Sequence, residues 1–374
     1  MFLTIITFIL VLGLLVFAHE LGHFISAKKM GMKVDEFGFG YPPRIWGWRH
    51  PKSGTIYSIN WIPVGGFVRI KGESGEFKHD RDSFSAKAAW RRFIVLVAGV
   101  VMNIVLAAGL LSIGFMIGLP SAIDENTPPS AIVKEEQLII MRVMDGSPAA
   151  EAKVTAGDAL VSIDGKIFET SEAAREYIGE RAAAGIDLTL QKESGDYYDA
   201  RIMSRFIPEA DMVGIGVGIV KTGIVSYPPH IAVGQGISAT WLLTGEITKA
   251  FGGIIHGLLT TGQAGVDISG PVGIAVMSGE FAQMGFVYLL QFMAILSINL
   301  AIINILPLPA LDGGRILFLI IEKIRRRPVS EKVEGVIHTI GFALLMLIVV
   351  VVTYQDFARY GGRMWEGIKG LFGA

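Results

Sequence analysis

Two histidines and a glutamate lie close together near the N-terminus, in the string His19-Glu20-Leu21-Gly22-His23 at the end of an apolar run. On an α-helix, residues four apart share one face and lie about 6 Å apart along the axis. Both imidazoles can therefore bind one zinc ion, and Glu20 can act as general base on water at the metal. Because ionisable groups in an apolar helix are costly, we expect this cluster to be functional.

A catalytic zinc site needs a third protein ligand if its fourth position is to hold water. Asp312 is the candidate, because it follows an apolar run that is interrupted by Pro307 and Pro309. Proline lacks the N–H that continues a helix, so the chain can bend here towards the histidines. Such irregular backbone is tolerated at membrane depth when it is buried in protein or lines a watery cavity. The predicted site holds one zinc ion per chain and consists of three ligands and a base: His19, His23, Asp312 and Glu20.

The composition is that of a membrane protein. Of the 374 residues, 51% are hydrophobic and 18% charged, and the mean hydropathy is +0.52. These values are too apolar for an ordinary soluble chain, and they exclude intrinsic disorder. There is no cysteine, which excludes disulfide frameworks, thiolate zinc ligands and cysteine nucleophiles. The formal net charge of −1 gives no electrostatic basis for binding nucleic acid.

Four apolar segments are long enough to cross a bilayer, which takes roughly 20 residues of helix. They are residues 1–27, 93–119, 284–314 and 336–354. The segment 229–262 is also largely apolar, but it contains Glu246 and Lys249, and each would be costly in the middle of a span. We expect this segment to form an amphipathic helix at the membrane interface.

The charges of the connecting loops predict the orientation. Residues 28–92 carry thirteen Lys and Arg against six Asp and Glu, whereas residues 119–228 carry ten against eighteen. Because positively charged loops stay in the cytoplasm, we expect the first loop inside and the acidic middle segment and both termini outside. With four spans, His19 and Asp312 arrive at the same, cytoplasmic side, whereas a fifth crossing would separate them. The layout suits the inner membrane of a bacterium.

The acidic middle segment contains a predicted α+β domain over residues 128–222. Residues 171–183 form a helix-like stretch, and three short runs are typical of β-strands: 138–143, 159–163 and 186–190. The strings at 146–150, 156–158 and 163–165 together resemble a PDZ domain of the bacterial protease type, a module that binds extended peptides at a sheet edge. Two hypotheses stay open, a domain that binds peptide C-termini and a β-rich domain without a peptide ligand.

The cytoplasmic loop of residues 28–92 contains two predicted strands, 55–61 and 67–71, around a turn at residues 63–66. Tryptophans concentrate in this loop, and aromatic side chains beside a span commonly lie at the level of the lipid headgroups. We predict a membrane-associated β-hairpin whose exposed edge receives extended substrate. Its candidate substrate-binding residues are Gly65, Gly66 and Phe67. The alternative is a hairpin that only anchors the chain at the interface.

In their order along the chain, these motifs resemble the site-2 protease family of intramembrane zinc metalloproteases, in its bacterial RseP-type branch. The similarity covers nearly the whole chain and rests on residues 19–23, 37–40, 63–68, 71–73, 92–103, 269–274 and 304–314. It implies regulated intramembrane proteolysis, in which transmembrane segments of single-pass proteins such as anti-sigma factors are cut after a first cleavage. It also implies removal of remnant signal peptides.

The resemblance assigns the same three ligands and the same base, and it matches Asn304 to an asparagine that engages substrate in the family. A hydrogen bond between spans is the alternative for Asn304. The PDZ-like domain would act as a filter that excludes substrates with bulky ectodomains. Two features depart from the family pattern: Val100 stands where a proline is usual, and there is room for one PDZ-like domain where enterobacterial relatives carry two.

The expected architecture is a polytopic α-helical membrane protein with four transmembrane helices, one extracytoplasmic PDZ-like α+β domain and a cytoplasmic membrane-associated β-hairpin. Its expected partners are transmembrane segments of pre-cleaved single-pass proteins, peptide C-termini and the lipid bilayer. Two other functions compete, a metal-binding membrane transporter or sensor and a non-enzymatic PDZ adaptor. A transporter or sensor has no need of Glu20 beside its first ligand, and in an adaptor the histidines would be structural.

Overall fold

The computed structural model describes residues 2–73, 75–124, 127–181, 185–192, 194–207, 212–262, 269–327 and 329–372. The chain divides into two compact units. The first, here the helical unit, comprises Met1–Gly114 and Val233–Ala374, and the second, here the sheet unit, comprises Phe115–Ala232.

The helices of the described chain, in order, are α1 (Phe2–Lys29), α2 (Ala89–Ile117), α3 (Pro148–Glu151), α4 (Ser171–Glu180), α5 (Pro229–Thr260), α6 (Pro271–Met284), α7 (Phe286–Ile305), α8 (Asp312–Arg325) and α9 (Glu331–Phe372). The strands are β1 (Val34–Arg49), β2 (Ile56–Ile70), β3 (Leu119–Ala122), β4 (Ile132–Val143), β5 (Ala159–Ile163), β6 (Ile186–Gln191), β7 (Tyr197–Ile202), β8 (Arg205–Ile207), β9 (Met212–Gly214) and β10 (Val217–Ser226).

Four helices of the described chain are long and apolar enough to cross a membrane, which confirms the predicted number. They are α1, α2, α7 and the part of α9 between Lys332 and Gly361. The segment predicted to be amphipathic forms α5, a continuous helix of 32 residues. Its Glu246 and Lys249 form an ion pair one turn apart on an exposed face. Its placement at the membrane interface stays a prediction.

The predicted third span, residues 284–314, contains two helices separated by a break. α7 ends at Ile305, and α8 begins at Asp312. Pro307 and Pro309 lie in the break, where they can neither donate a hydrogen bond to the preceding turn nor let the helix continue. Asp312 is therefore the first residue of a new helix rather than part of the transmembrane one.

Residues 269–274, the glycine-rich motif, begin the short helix α6. The N–H groups of Gly270 and Gly273 donate to the two carboxylate oxygens of Asp356 on α9, at 3.2 and 2.8 Å. Asp356 is only 3% exposed. A carboxylate at a helix N-terminus satisfies backbone donors that the helix itself leaves free, and it interacts favourably with the helix dipole. The motif thereby connects α6 to the last membrane helix.

β1 and β2 pair over three stretches, so that their sheet has four adjacent segments. Residues 34–39 pair antiparallel with 66–70, and 44–49 pair antiparallel with 56–60, whereas residue numbers rise together where 36–41 pair with 56–62. Phe37 of β1 pairs with both Val68 and Tyr57 of β2, and Tyr57 also pairs with Trp48 of β1. The segments therefore lie in the order 66–70, 34–41, 56–62 and 44–49. Among the described strands, the first of these segments has no strand partner on its side away from β1.

The two strands predicted at 55–61 and 67–71 do not pair with each other, so the simple hairpin predicted from the sequence is wrong. Both belong to β2, and β1 lies between them. The physical reason is that residues 37–41 alternate aromatic side chains with glycine, which is itself a strand pattern. Residues 34–41 therefore lie between 56–62 and 66–70 and prevent these two segments from pairing directly with each other.

The sheet unit contains a six-stranded antiparallel sheet with the order β3-β10-β4-β5-β6-β7. The strands predicted at 138–143, 159–163 and 186–190 lie in β4, β5 and β6. Alternate residues of these strands face a core with α4, whose members include Ile140, Ile163, Ile186, Leu188, Leu190 and Ile178. α4 ends at Glu180, and residues 182 and 183 of the predicted helical stretch lie outside the described residues.

In the helical unit, one apolar core joins several elements that lie near the predicted site. It contains the end of α1, the sheet ends, the start of α2 and one face of α8: Ala27, Met32, Val34, Ile70, Phe84, Val95, Leu96, Ile316 and Leu319. Because α8 carries Asp312 at its first position, this packing holds the new helix against α1 and α2.

Candidate metal centre

The structure brings the three predicted ligands together. The Nε2 atoms of His19 and His23 lie 3.1 Å apart, and the Oδ2 atom of Asp312 lies 3.0 Å from the first and 3.3 Å from the second. Both histidines are 7% exposed. Among the described residues, these three form the group of His, Asp and Glu that could hold a metal ion.

The histidines converge because they share one face of α1, whereas Asp312 arrives through the break after α7. Ala310, two residues earlier, adopts a left-handed conformation with φ +75°, which turns the chain into α8. Its N–H donates to Nδ1 of His338 on α9 at 2.9 Å. A histidine to which the sequence assigned no role thus holds the loop that carries the third ligand.

Helix α2 contacts the Nδ1 side of both imidazoles, away from the predicted ligand atoms Nε2. His23 Nδ1 lies 2.8 Å from the carbonyl oxygen of Val95, so Nδ1 carries the hydrogen and Nε2 is left as the ligand atom. One turn further along α2, Gly99 faces both imidazoles. A further turn on, the amide of Asn103 lies 3.5 Å from His19 Nδ1. The sequence signal for these contacts from α2 was limited to a glycine and an asparagine four residues apart, Gly99 and Asn103, within an uncharged run.

Glu20 points to the open edge of the β1–β2 sheet. Its Oε2 atom accepts a hydrogen bond of 2.9 Å from the N–H of Val68. A Cβ on Gly66 would lie 4.0 Å from Glu20 Cγ, and one on Gly65 would lie 2.9 Å from Val16 of α1. The predicted substrate-binding stretch, which continues to Phe67, therefore passes directly along α1 beside the predicted base.

Asn304 is placed less informatively. It lies in the last turn of α7 and is half-buried, and its side chain makes no hydrogen bond within the described part of the chain. The span-to-span hydrogen bond considered for it is therefore not seen there, and its role in binding substrate stays a prediction.

The donor set fits zinc. Two imidazole nitrogens and one carboxylate oxygen are ligands that zinc uses in catalytic sites, where a fourth position is left for water or substrate. All three ligand atoms lie within 4.8 Å of one another, and the absence of cysteine removes any competing thiolate set. The hydrogen bond from His23 to Val95 supplies the outer contact that metal-binding histidines usually make.

Membrane-length apolar helices, together with a buried two-histidine, one-aspartate cluster and an adjacent glutamate, define a membrane-embedded metalloprotease. The chain belongs to peptidase family M50, whose family model matches residues 7–348. It is therefore a zinc metalloprotease. This membership favours the protease hypothesis over the transporter, sensor and adaptor hypotheses.

Two curated relatives extend over almost the whole chain. A zinc metalloprotease RasP of Geobacillus kaustophilus is 32% identical, and the match covers 96% of this chain and 98% of the relative. The regulator of sigma-W protease RasP of Bacillus subtilis is 30% identical over 95% of this chain and 98% of its own length. Among solved structures, the PDZ domain of an SdrC-like protein from Listeria monocytogenes is 27% identical, with a TM-score of 0.21, over 24% of this chain and 92% of that domain.

Proposed function

We propose that this chain hydrolyses peptide bonds within transmembrane segments of single-pass membrane proteins that a first protease has already shortened. The observation that carries the proposal is the meeting of His19 and His23, at the end of one apolar helix, with Asp312 from the far end of the chain. In this proposal these three residues are the zinc ligands and Glu20 is the catalytic base.

The chemistry divides between the metal and the chain. Zinc bound here would polarise the scissile carbonyl and make water more acidic. Glu20 accepts the proton of the attacking water and returns it to the leaving amine, a general acid–base role. His23 is held in the correct tautomer by the carbonyl of Val95. The mostly buried imidazoles limit access of bulk water to the reacting atoms.

A transmembrane helix must be unwound before cleavage, since its carbonyls are occupied by its own hydrogen bonds. The open edge of residues 66–70 supports a role in this step, because it has no strand partner on its side away from β1 among the described strands and can take an extended segment as an additional strand. Gly65, Gly66 and Phe67 would bind the substrate there, next to Glu20. Asn304 lies in the last turn of α7, before the break that leads to Asp312, and would contact the substrate from there.

The sheet unit is proposed to be a PDZ-like module that binds peptide C-termini or excludes bulky ectodomains. It has a groove of about 340 Å³ between α4 and the start of β10, lined by Arg142, Arg175, Ile178 and Val217 among others. An apolar groove beside a sheet edge, with arginines near it, fits an extended peptide and its carboxylate. The guanidinium of Arg175 bonds the carbonyl of Ile219 in the present arrangement.

We further propose that the protein lies in a bacterial inner membrane, with the sheet unit and both termini outside and the metal centre near the cytoplasmic side. The excess of Lys and Arg in residues 28–92 supports this orientation. The relative named as a regulator of sigma-W supports membrane-bound anti-sigma factors as one substrate class, and remnant signal peptides as another.

The test separates metal binding from catalysis. Glu20→Gln should keep zinc but abolish cleavage of a model transmembrane substrate, because the amide cannot accept the proton of water. His19→Ala should lose zinc as well as activity. Zinc content of the purified protein and cleavage in proteoliposomes are the two measurements. Cleavage by Glu20→Gln at the native rate would exclude this mechanism, and an unchanged zinc content in His19→Ala would exclude the ligand set.

A further inference from the structure

Asn103 is a buried polar group that the proposed mechanism does not use. It lies in the middle of α2, the second apolar helix, and is 0% exposed. Burying an amide in apolar surroundings costs free energy unless its donors and acceptors are paired. Yet its Oδ1 atom has no hydrogen-bond partner among the described residues. A costly group at this depth therefore requires an explanation.

The amide faces the outer side of a predicted zinc ligand. Asn103 Nδ2 lies 3.5 Å from Nδ1 of His19, whose Nε2 faces Asp312 and His23. When Nε2 binds a metal, the neutral imidazole carries its hydrogen on Nδ1, and this N–H needs an acceptor. For His23 that acceptor is the carbonyl of Val95, but the neighbour of His19 presents a nitrogen.

A half-turn of the Asn103 amide resolves this mismatch. The oxygen and nitrogen of an asparagine side chain have nearly the same shape, so the hydrogen-bond network decides which of them faces a partner. After the half-turn, Oδ1 faces the N–H of His19. Before the half-turn Oδ1 has no partner, and afterwards Nδ2 has none, so the number of unpaired ends stays the same. The exchange gains the hydrogen bond from the N–H of His19 to Oδ1, whereas two facing N–H groups make none.

We propose that Asn103 is a positioning residue that accepts the Nδ1 hydrogen of His19 and thereby orients its Nε2 towards zinc. The proposal rests on His19 being a ligand, as argued above. A neighbouring helix holds Asn103 in place: its backbone carbonyl accepts a hydrogen bond of 2.8 Å from the hydroxyl of Ser297 on α7, and Ser297 is itself fully buried. With Val95 and Gly99, Asn103 forms one stripe of α2 that serves both histidines.

The experiment compares acceptors and non-acceptors at position 103 in the full-length protein. Asn103→Leu, similar in size but without polar atoms, should lower the zinc affinity about 10–100-fold, as loss of an outer-shell partner typically does. In Asn103→Asp, the ionised carboxylate has acceptor oxygens and no donor, so it can accept the Nδ1 hydrogen of His19. This variant should therefore keep most of the native zinc affinity. Zinc affinity is measured by competition with a chromophoric chelator, and the visible spectrum of the Co²⁺-substituted protein reports the ligand geometry.

Ser112→Ala is the matched control, because Ser112 is a buried polar residue of the same helix whose hydroxyl donates to the carbonyl of Ala108, one turn earlier in α2. It should leave zinc affinity unchanged. If Asn103→Leu does not fold, Asn103→Ala is used with thermal unfolding. A positioning role then predicts a smaller zinc-dependent rise in Tm, whereas a merely structural role lowers the metal-free and zinc-bound Tm equally.

Two results would overturn the inference. One is a native zinc affinity and Co²⁺ spectrum in the Leu variant. The other is an Asp variant that loses as much affinity as the Leu variant while remaining folded. His19→Ala is measured in parallel: if it keeps zinc, the proposed ligand set fails, whereas if it loses zinc and Asn103→Leu does not, only the positioning role fails.

Discussion

At the scale of single residues, the metal centre depends on a position that has no side chain. A Cβ placed on Gly99 would lie 2.5 Å from Nε2 of His23 and 2.6 Å from Cε1 of His19. Atoms cannot approach this closely in a packed interior, so either the imidazoles or the helix would have to move. Gly99 thus allows α2 to approach the two predicted histidine ligands.

Gly99→Ala should therefore lower zinc affinity by about tenfold or more, because ligand geometry is sensitive to shifts of this kind. Gly109→Ala, on the same helix with no atom within 4 Å of its added Cβ, is the control. It should leave zinc affinity unchanged and raise stability slightly, by about 0.5–1 kcal/mol, as alanine does in a helix. Chelator competition measures the first effect and thermal unfolding the second. Equal zinc affinities in the two variants would contradict the prediction.

At the scale of elements, the β1–β2 sheet places an open strand edge beside the predicted base. Val68 donates to Glu20 from this edge, and Gly65, with φ +81°, turns the chain into it against α1. Only glycine adopts such a conformation without strain. The edge and the base are therefore connected through one short stretch of β2.

Gly65→Pro should impair cleavage and leave the zinc content intact, because proline holds φ near −65° and cannot make this turn. The misfit stores strain of about 1–3 kcal/mol, which the edge relieves by moving away from Glu20. Gly54→Pro, also at a positive φ of +69° but with nothing within 4 Å of an added Cβ, carries similar strain outside the edge and should retain activity. Cleavage of a transmembrane substrate in proteoliposomes measures the difference, and native turnover by Gly65→Pro would remove the substrate-binding role of this stretch.

At the scale of the whole molecule, every predicted ligand belongs to one of the two compact units. His19, His23 and Asp312 lie in the helical unit. A ligand that binds only the folded state stabilises it by about 2.7 kcal/mol when present at 100 times its Kd. Zinc should therefore stabilise the helical unit and leave the sheet unit unaffected.

Hydrogen exchange with and without a chelator should show this difference. Removing zinc should increase exchange in the second half of α1 and the first turns of α8. These two segments carry the predicted ligands, so zinc would connect them directly. Amides of β5 and β6 in the sheet unit should exchange at unchanged rates and provide the internal control. Equal deprotection of both units, or none in α8, would contradict the assignment of the ligands.

Features within one element could be predicted from the sequence, because helix and strand geometry relates spacing directly to position. The shared face of His19 and His23, the break at Pro307 and Pro309, and the four apolar helices are of this kind. Asp312 could be predicted as the third ligand because Pro307 and Pro309 interrupt the apolar run before it and because four spans would bring it to the same side as the histidines.

Features that depend on contacts between elements came only from the folded chain. The insertion of β1 between two parts of β2, the seat formed by Val95, Gly99 and Asn103, and the support of Ala310 by His338 all join residues far apart in sequence. Their partners are selected by how side chains fit when helices and strands pack together. No spacing within a single element records that fit, so it becomes visible only when the packed interior is known.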